Sequence, residues 1–161
     1  MYLVDANVLI EAKNRYYAFD IAPGFWEWVH EAHQNGLVGS IEAVRNELVR
    51  GDDDLADWAR VHTTFFRPID QATAQHFAPL SQWASSRNFT SAALTGFTGD
   101  HADFQLVAHA RAHGHTVVTH ERSSPHSRKR VLIPDACMAM DVSTSDTFQM
   151  LRATGARLGL L

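Results

Sequence analysis

Short strand-like runs alternating with helical patterns narrow the folds open to this chain more than any other feature. Tyr2–Val4 is an apolar run that stops at Asp5, and residues 37–39, 63–69, 116–119 and 131–133 read as further short strands. Between them lie helical patterns at residues 8–13, 25–34, 41–50, 55–62, 71–86, 102–113, 134–140 and 147–153, with Asn7 and Ser40 placed to cap two of them. Residues 14–24, 88–99 and 122–130 are rich in turn formers or polar side chains and read as loops. Strands that alternate with helices imply an α/β fold with a mostly parallel sheet. At 161 residues, with no internal repeat, the chain is expected to form one domain spanning residues 1–161.

Composition removes several function classes. With 45% apolar and 20% charged residues the chain is globular rather than disordered. No apolar run approaches the ~18 residues of a membrane span and no leader pattern opens the chain, so a soluble, cytoplasmic protein without membrane contact is expected. Cys137 is the one cysteine, which excludes an internal disulfide and a cysteine-rich zinc site. The 14 basic residues are outnumbered by 18 acidic ones, the wrong balance for coating nucleic acid non-specifically, although local patches still permit a nucleic-acid enzyme. Only Lys13 and Lys129 are lysines; arginine, which forks onto phosphate, supplies the rest.

In an open parallel sheet, ligands bind outside the carboxyl ends of the strands. Asp5 closes the first strand and Glu121 follows the TVVTH run after one intervening residue. Glu47 lies beside the apolar stripe of Ile41, Val44 and Leu48, and Asp103 falls in the first turn of a helix with Leu106, Val107 and Ala110 on its inner face. Asp100, three residues earlier, reads as that helix's cap, which makes Asp103 the stronger site candidate. Four carboxylates meeting in one place repel one another unless a cation intervenes. Oxygen-only ligands suit Mg²⁺ or Mn²⁺ better than zinc, and a pair of such ions supports phosphodiester hydrolysis.

The segments LVDANVLIEA from Leu3, SIEAVRNEL from Ser40 and ADFQLVAHARAHGHTVVTHE from Ala102 stand in an order that resembles the PIN-domain ribonucleases, most of all the small prokaryotic toxin–antitoxin type. The resemblance implies a PIN-like three-layer α/β/α sandwich and an Mg²⁺- or Mn²⁺-dependent endoribonuclease. Asp5, Glu47 and Asp103 match the family's first three acids. Glu121 falls near the fourth, usually an aspartate, with a longer side chain and His120 intervening. Asn7 and Thr119 match polar residues that support the acids, and Ser40 is a third candidate for that role. An RNA substrate, a small cognate antitoxin and a homodimer are implied in the same way.

Basic and aromatic side chains near these acids suggest where RNA would run. Arg122, Arg128, Lys129 and Arg130 occupy the loop after Glu121, and Lys13 and Arg15 stand beside Tyr16 and Tyr17 on the segment after Asp5. Trp26 and Trp28 read as core or subunit packing, which is also the alternative for Tyr16, Tyr17 and Phe19. His109 and His113 are four apart on one helix, a spacing that can grip zinc, but with no third ligand in view they read as a solvated face. Two other functions stay open. One is a phosphatase that forms an aspartyl-phosphate at Asp5, opposed by Asn7 where that class carries a second aspartate. The other is a non-catalytic PIN-like module that binds RNA or protein.

Overall fold

The computed structural model describes residues 1–159. Five parallel strands, β1 (Tyr2–Val4), β2 (Val38–Ile41), β3 (Phe66–Arg67), β4 (Thr116–Val118) and β5 (Thr144–Ser145), form one sheet in the order β3-β2-β1-β4-β5. Chain order runs outward from β1 in one direction through β2 and β3, then resumes on its other side with β4 and β5. The topological switch point therefore lies between β1 and β4, where Leu3 pairs with Val117 and Val4 with Val118. Helices flank the sheet, which is the α/β architecture the alternating pattern implies.

Helix α1 (Ala6–Glu11) leaves β1 directly and widens into a π-helical stretch at Ala12–Tyr16, closed by the Tyr17 amide on the Ala12 carbonyl at 2.6 Å. Asn7 sits in the first turn rather than capping it; Asp5 holds the cap position, and its side chain makes no capping hydrogen bond. Helix α2 (Pro23–Gln34) starts on its proline, as the fixed φ favours. Helix α3 (Glu42–Leu48) follows β2 so closely that Ser40 lies in the strand and caps nothing. Helix α4 (Asp54–Val61) is capped by Asp53, whose carboxylate accepts the Ala56 amide.

The expected strand at residues 63–69 shrinks to β3 after one 3-10 turn at Thr63–Phe65. The single helix expected over residues 71–86 is two, α5 (Gln71–Ala74) and α6 (Phe77–Ser86). Pro79 accounts for the break, because its ring excludes the carbonyl of Gln75 and it has no amide to donate. Helix α7 (Ser91–Thr95) occupies the segment read as a loop, capped by Thr90.

Helix α8 (Ala102–His113) ends where Gly114 takes a left-handed φ of 64°, which an L side chain rarely adopts. It is buried almost all round through Phe104, Leu106, Val107, Ala108, His109 and Ala110, and packs on β2 and β4. Residues 131–133, expected as a strand, instead lead into α9 (Ile133–Ala139); Val131 and Ile133 are buried there without joining the sheet. The fifth strand is β5, followed by α10 (Thr147–Ala153) with an Asp146–Gln149 capping box. Trp26 and Trp28 pack in or against the core as expected, Phe19 packs against it too, and Tyr17, read as a stacking surface for RNA, is instead stacked on Phe25 at 4.3 Å. Among the described residues no helix is long and apolar enough to cross a membrane.

Candidate functional site

The strand ends at the switch point carry the acids. Asp5 follows β1 and is 2% exposed, its amide bonded to the Val118 carbonyl of β4 at 3.0 Å. Thr119, one residue past β4, donates its hydroxyl to Asp5 Oδ2 at 3.3 Å and accepts the Glu121 amide at 3.1 Å. One hydroxyl thus ties the first acid to the turn that presents the fourth. Glu121 is anchored from behind by the Ile133 amide, which donates to Oε2 at 2.7 Å. The Ser40 hydroxyl donates to the Val4 carbonyl at 2.7 Å, so it braces the strand that ends at Asp5 and bonds to no acid itself.

Asp103 reaches the same place from the first turn of α8. Arg130 links it to Glu121, with the guanidinium 3.8 Å from Asp103 Oδ2 and hydrogen-bonded to Glu121 Oε1. Burial pushes the Asp5 carboxyl up to about 7, the charges of Asp103 and Glu121 add to that rise, and the nearby Asn7 amide and Thr119 hydroxyl oppose it. Burial likewise raises Asp103 against the pull of Arg130 and His101. Burial also raises Glu121, with Asp103 and Asp135 adding to it and the Ile133 amide and Arg130 opposing it. The charges of Asp103 and Glu121 bear on Asp5, and that of Asp103 on Glu121, so the three carboxyls lie near one another.

Glu47 stands at the rim. It is exposed on α3, and its carboxyl is raised by what burial it has and then by the charge of Asp103, with Arg50 and His101 acting against both. Its electrostatic link to the cluster runs through Asp103. Asp100 does not cap α8, a position His101 holds without a side-chain bond; Asp100 is exposed and lines a pocket of about 500 Å³ with Glu47 and His101.

The surface around the acids is grooved. A cleft of about 440 Å³ is lined by Asn7, Glu11, Tyr16, His120, Glu121 and Arg130. It shares His120 and Glu121 with an open groove of about 920 Å³ that also includes Arg122 and Phe148. Tyr16 and Phe148 are both exposed and meet edge to face at 6.0 Å where the two depressions adjoin. Glu11 and Phe148 were not singled out from the sequence. Glu11 lies one helical turn after Asn7, a spacing that could have flagged it, whereas Phe148 carries no local signal.

The basic residues divide by their partners. Arg122 is exposed and shares a groove with Glu121, and Lys129 is exposed on the same loop. Arg128 is committed to the Asn88 carbonyl at 2.8 Å and the Asn88 side-chain oxygen at 3.1 Å, which pins its loop. Lys13 is paired with Asp53 at 2.9 Å and Arg15 with Glu11 at 3.4 Å. His109 corrects the expectation of a solvated histidine face: it is 3% exposed, and burial holds its imidazole down at about 4.

Residues 2–158 match the family described as a domain of unknown function, DUF4411. The chain belongs to that family. No curated protein matches it. Among solved structures, VapBC2 of Rickettsia felis, bound to a DNA fragment from its promoter, superimposes with a TM-score of 0.56 at 12% identity, over 90% of this chain and 97% of that one. FitAB bound to the IR36 DNA fragment gives 0.54 at 18% identity, over 91% and 94%. FitAcB of Neisseria gonorrhoeae gives 0.53 at 18% identity, over 89% and 96%. At such identities the likeness is one of fold, and it makes this DUF4411 member PIN-like in architecture.

Proposed function

We propose that this DUF4411 member is a metal-dependent ribonuclease whose catalytic and metal-holding residues are Asp5, Asp103, Glu121 and, from the rim, Glu47. One observation carries the reading: Asp5 is a buried carboxylate at the sheet's switch point, with two further acids close enough to raise its pKa. An all-oxygen donor set with net negative charge fits Mg²⁺ or Mn²⁺. Such ions, when bound, neutralise the phosphate and lower the pKa of water for in-line attack on a phosphodiester.

The chain's own residues do the rest. Thr119 holds Asp5 and the Glu121 turn in register, the Ile133 amide fixes the Glu121 carboxylate, and Ser40 stiffens the strand end behind Asp5. Arg130, balanced between Glu121 and Asp103, is placed to take a phosphate oxygen at the mouth, with Arg122 and Lys129 following the chain outward. Exposed Tyr16 and Phe148 offer ring faces to unstacked bases, which favours single-stranded RNA. Arg15 steadies Glu11, which lines the cleft, while Lys13 and Arg128 are taken up by Asp53 and Asn88. The family resemblance adds a small cognate antitoxin and a homodimer, and light scattering of the purified chain tests the latter.

The purified protein is expected to cut single-stranded RNA with Mg²⁺ or Mn²⁺ and to lose all cutting in EDTA, scored on gels against a panel of tRNA and mRNA fragments. Hydrolysis of a phosphomonoester with no RNA cut would select the aspartyl-phosphate reading. RNA binding indifferent to EDTA, with no hydrolysis of either substrate, would select the non-catalytic one. For Arg130→Ala, the slope of log K against log salt for single-stranded RNA is expected to fall by about 0.7, the contribution of one phosphate contact. An unchanged slope would remove Arg130 from the RNA path.

A further inference from the structure

A cluster at the far end of α8 is independent of the acids. One carboxylate oxygen of Asp70 and one imidazole nitrogen each of His109 and His113 lie within 4.8 Å of one another. Asp70 precedes α5, while the two histidines lie six and ten residues beyond Asp103, roughly 9 and 15 Å along the helix at 1.5 Å per residue. His113 Nε2 is 2.9 Å from Asp70 Oδ2.

The hydrogen-bond chain assigns the tautomer of His109. Thr73 donates its hydroxyl to Asp70 Oδ1 at 2.7 Å, so its oxygen is an acceptor towards His109 Nδ1 at 2.8 Å, and Nδ1 carries the proton. Nε2 is then a bare lone pair, buried and without a hydrogen-bond partner. An acceptor stripped of water and left unpaired is destabilising, and a ligand on that nitrogen would relieve it. A metal-bound imidazole characteristically donates its other N–H to an oxygen that is itself held by a carboxylate, the arrangement Thr73 and Asp70 provide here.

We propose that Asp70, His109 and His113 form a second metal site, selective for a borderline transition ion such as Zn²⁺, that clasps α5 to the C-terminal half of α8. Two imidazoles and one carboxylate are a zinc set, in contrast to the all-carboxylate cluster at the other end of the helix. Zinc–nitrogen bonds of about 2.0–2.1 Å hold neighbouring ligand atoms roughly 3.3 Å apart, so His113 Nε2 and Asp70 Oδ2, now hydrogen-bonded at 2.9 Å, would open slightly to admit the ion between them. His113 is exposed and can adjust, while His109 is buried and Asp70 is held through Oδ1 by the Thr73 amide and hydroxyl, which leaves its Oδ2 for the ion. The ring of His115 lies 6.0 Å from that of His109 and 5.7 Å from that of His113, as a further nitrogen at the edge. The charge of Arg67 also acts on His109 and opposes a cation there, so Asp70 is the ligand that offsets it.

The test is Zn²⁺ titration of EDTA-treated protein, followed by thermal unfolding, with Co²⁺ absorption reporting geometry. At about a hundredfold over Kd, Zn²⁺ is expected to raise Tm by roughly 5–10 °C. The shift should persist in Asp5→Asn, which disables the other site. His113→Ala and Asp70→Asn, both at exposed positions, should weaken Zn²⁺ about tenfold or more, and Co²⁺ should lose its strong four-coordinate visible band. No Tm shift with Zn²⁺ would make the cluster a hydrogen-bonded clasp only and overturn the proposal. A shift that vanishes in Asp5→Asn and survives His113→Ala would overturn it equally, by assigning the ion to the acids.

Discussion

Asp5→Asn is expected to reduce RNA cleavage by on the order of 10³ or more and, in the absence of divalent ions at pH 8, to make the protein more stable. The second half follows from the sign of the pKa shift. Asp5 ionises near 3.8 in an unfolded chain and near 7 in the folded one, because burial and then Asp103 and Glu121 disfavour its charge. Its favourable contribution is complete below the unfolded value and is lost as pH rises towards 7. Above that the ionised carboxylate costs up to about 4 kcal/mol, from roughly three pK units at 1.36 kcal/mol each. Asparagine keeps the shape, accepts the Thr119 hydroxyl in the same way and carries no charge. Melting curves at pH 8 should therefore place the variant several degrees above the wild type, and the gap should close by pH 4. Mg²⁺ or Mn²⁺ should reverse the order at pH 8 by stabilising the wild type alone. A variant less stable than the wild type at pH 8 without metal, or one that still cuts RNA, would remove Asp5 from the centre of the site.

The parts of the site visible in the sequence are those encoded within a few residues. An apolar run that stops at an acid marks Asp5, and the TVVT run marks Thr119, because strand, end and functional group are contiguous. Asp103 was legible because a first-turn acid on an apolar helix points back to the sheet edge where that helix begins. What escaped depends on partners far away in the chain. Strand β5 has two residues and little apolar signal; it exists because β4 presents an edge for Val117 and Val118 to pair with Thr144 and Ser145. Residues 131–133 look like a strand because burial and strand formation favour the same side chains. Here the Ile133 amide serves Glu121 instead of a sheet ladder. His109 on α8 reads as solvated because nothing near it in sequence announces that Thr73 of α5 closes over it, whereas His113 is exposed and pairs with Asp70. Glu47 reads from its spacing as lying beside the apolar stripe of α3, but periodicity gives no depth, and it is exposed.

The core that holds Asp103 in place supplies the other large expected effect. Phe104 is 0% exposed and meets Phe77 of α6 edge to face at 5.2 Å and Phe97, beyond α7, at 5.1 Å. It follows Asp103 directly, so the ring that anchors the first turn of α8 and the carboxylate that lies 3.8 Å from Arg130 share one stretch of backbone. Phe104→Ala leaves a cavity between three elements that cannot all collapse into it, with an expected loss of about 3–5 kcal/mol in urea unfolding. For a chain of this length that is a fall in Tm of roughly 6–20 °C. Phe104→Leu keeps most of the volume and should lose well under half as much. The mutated position lies outside the acid cluster, so cleavage per folded molecule, measured well below the lowered Tm, should fall far less than in Asp5→Asn. If Phe104→Leu abolished cleavage while remaining folded, the position of Asp103 would depend on this aromatic packing to within less than a side chain's width. If Phe104→Ala cost under about 1 kcal/mol, the three-ring contact would not be what seats the N-terminal turn of α8.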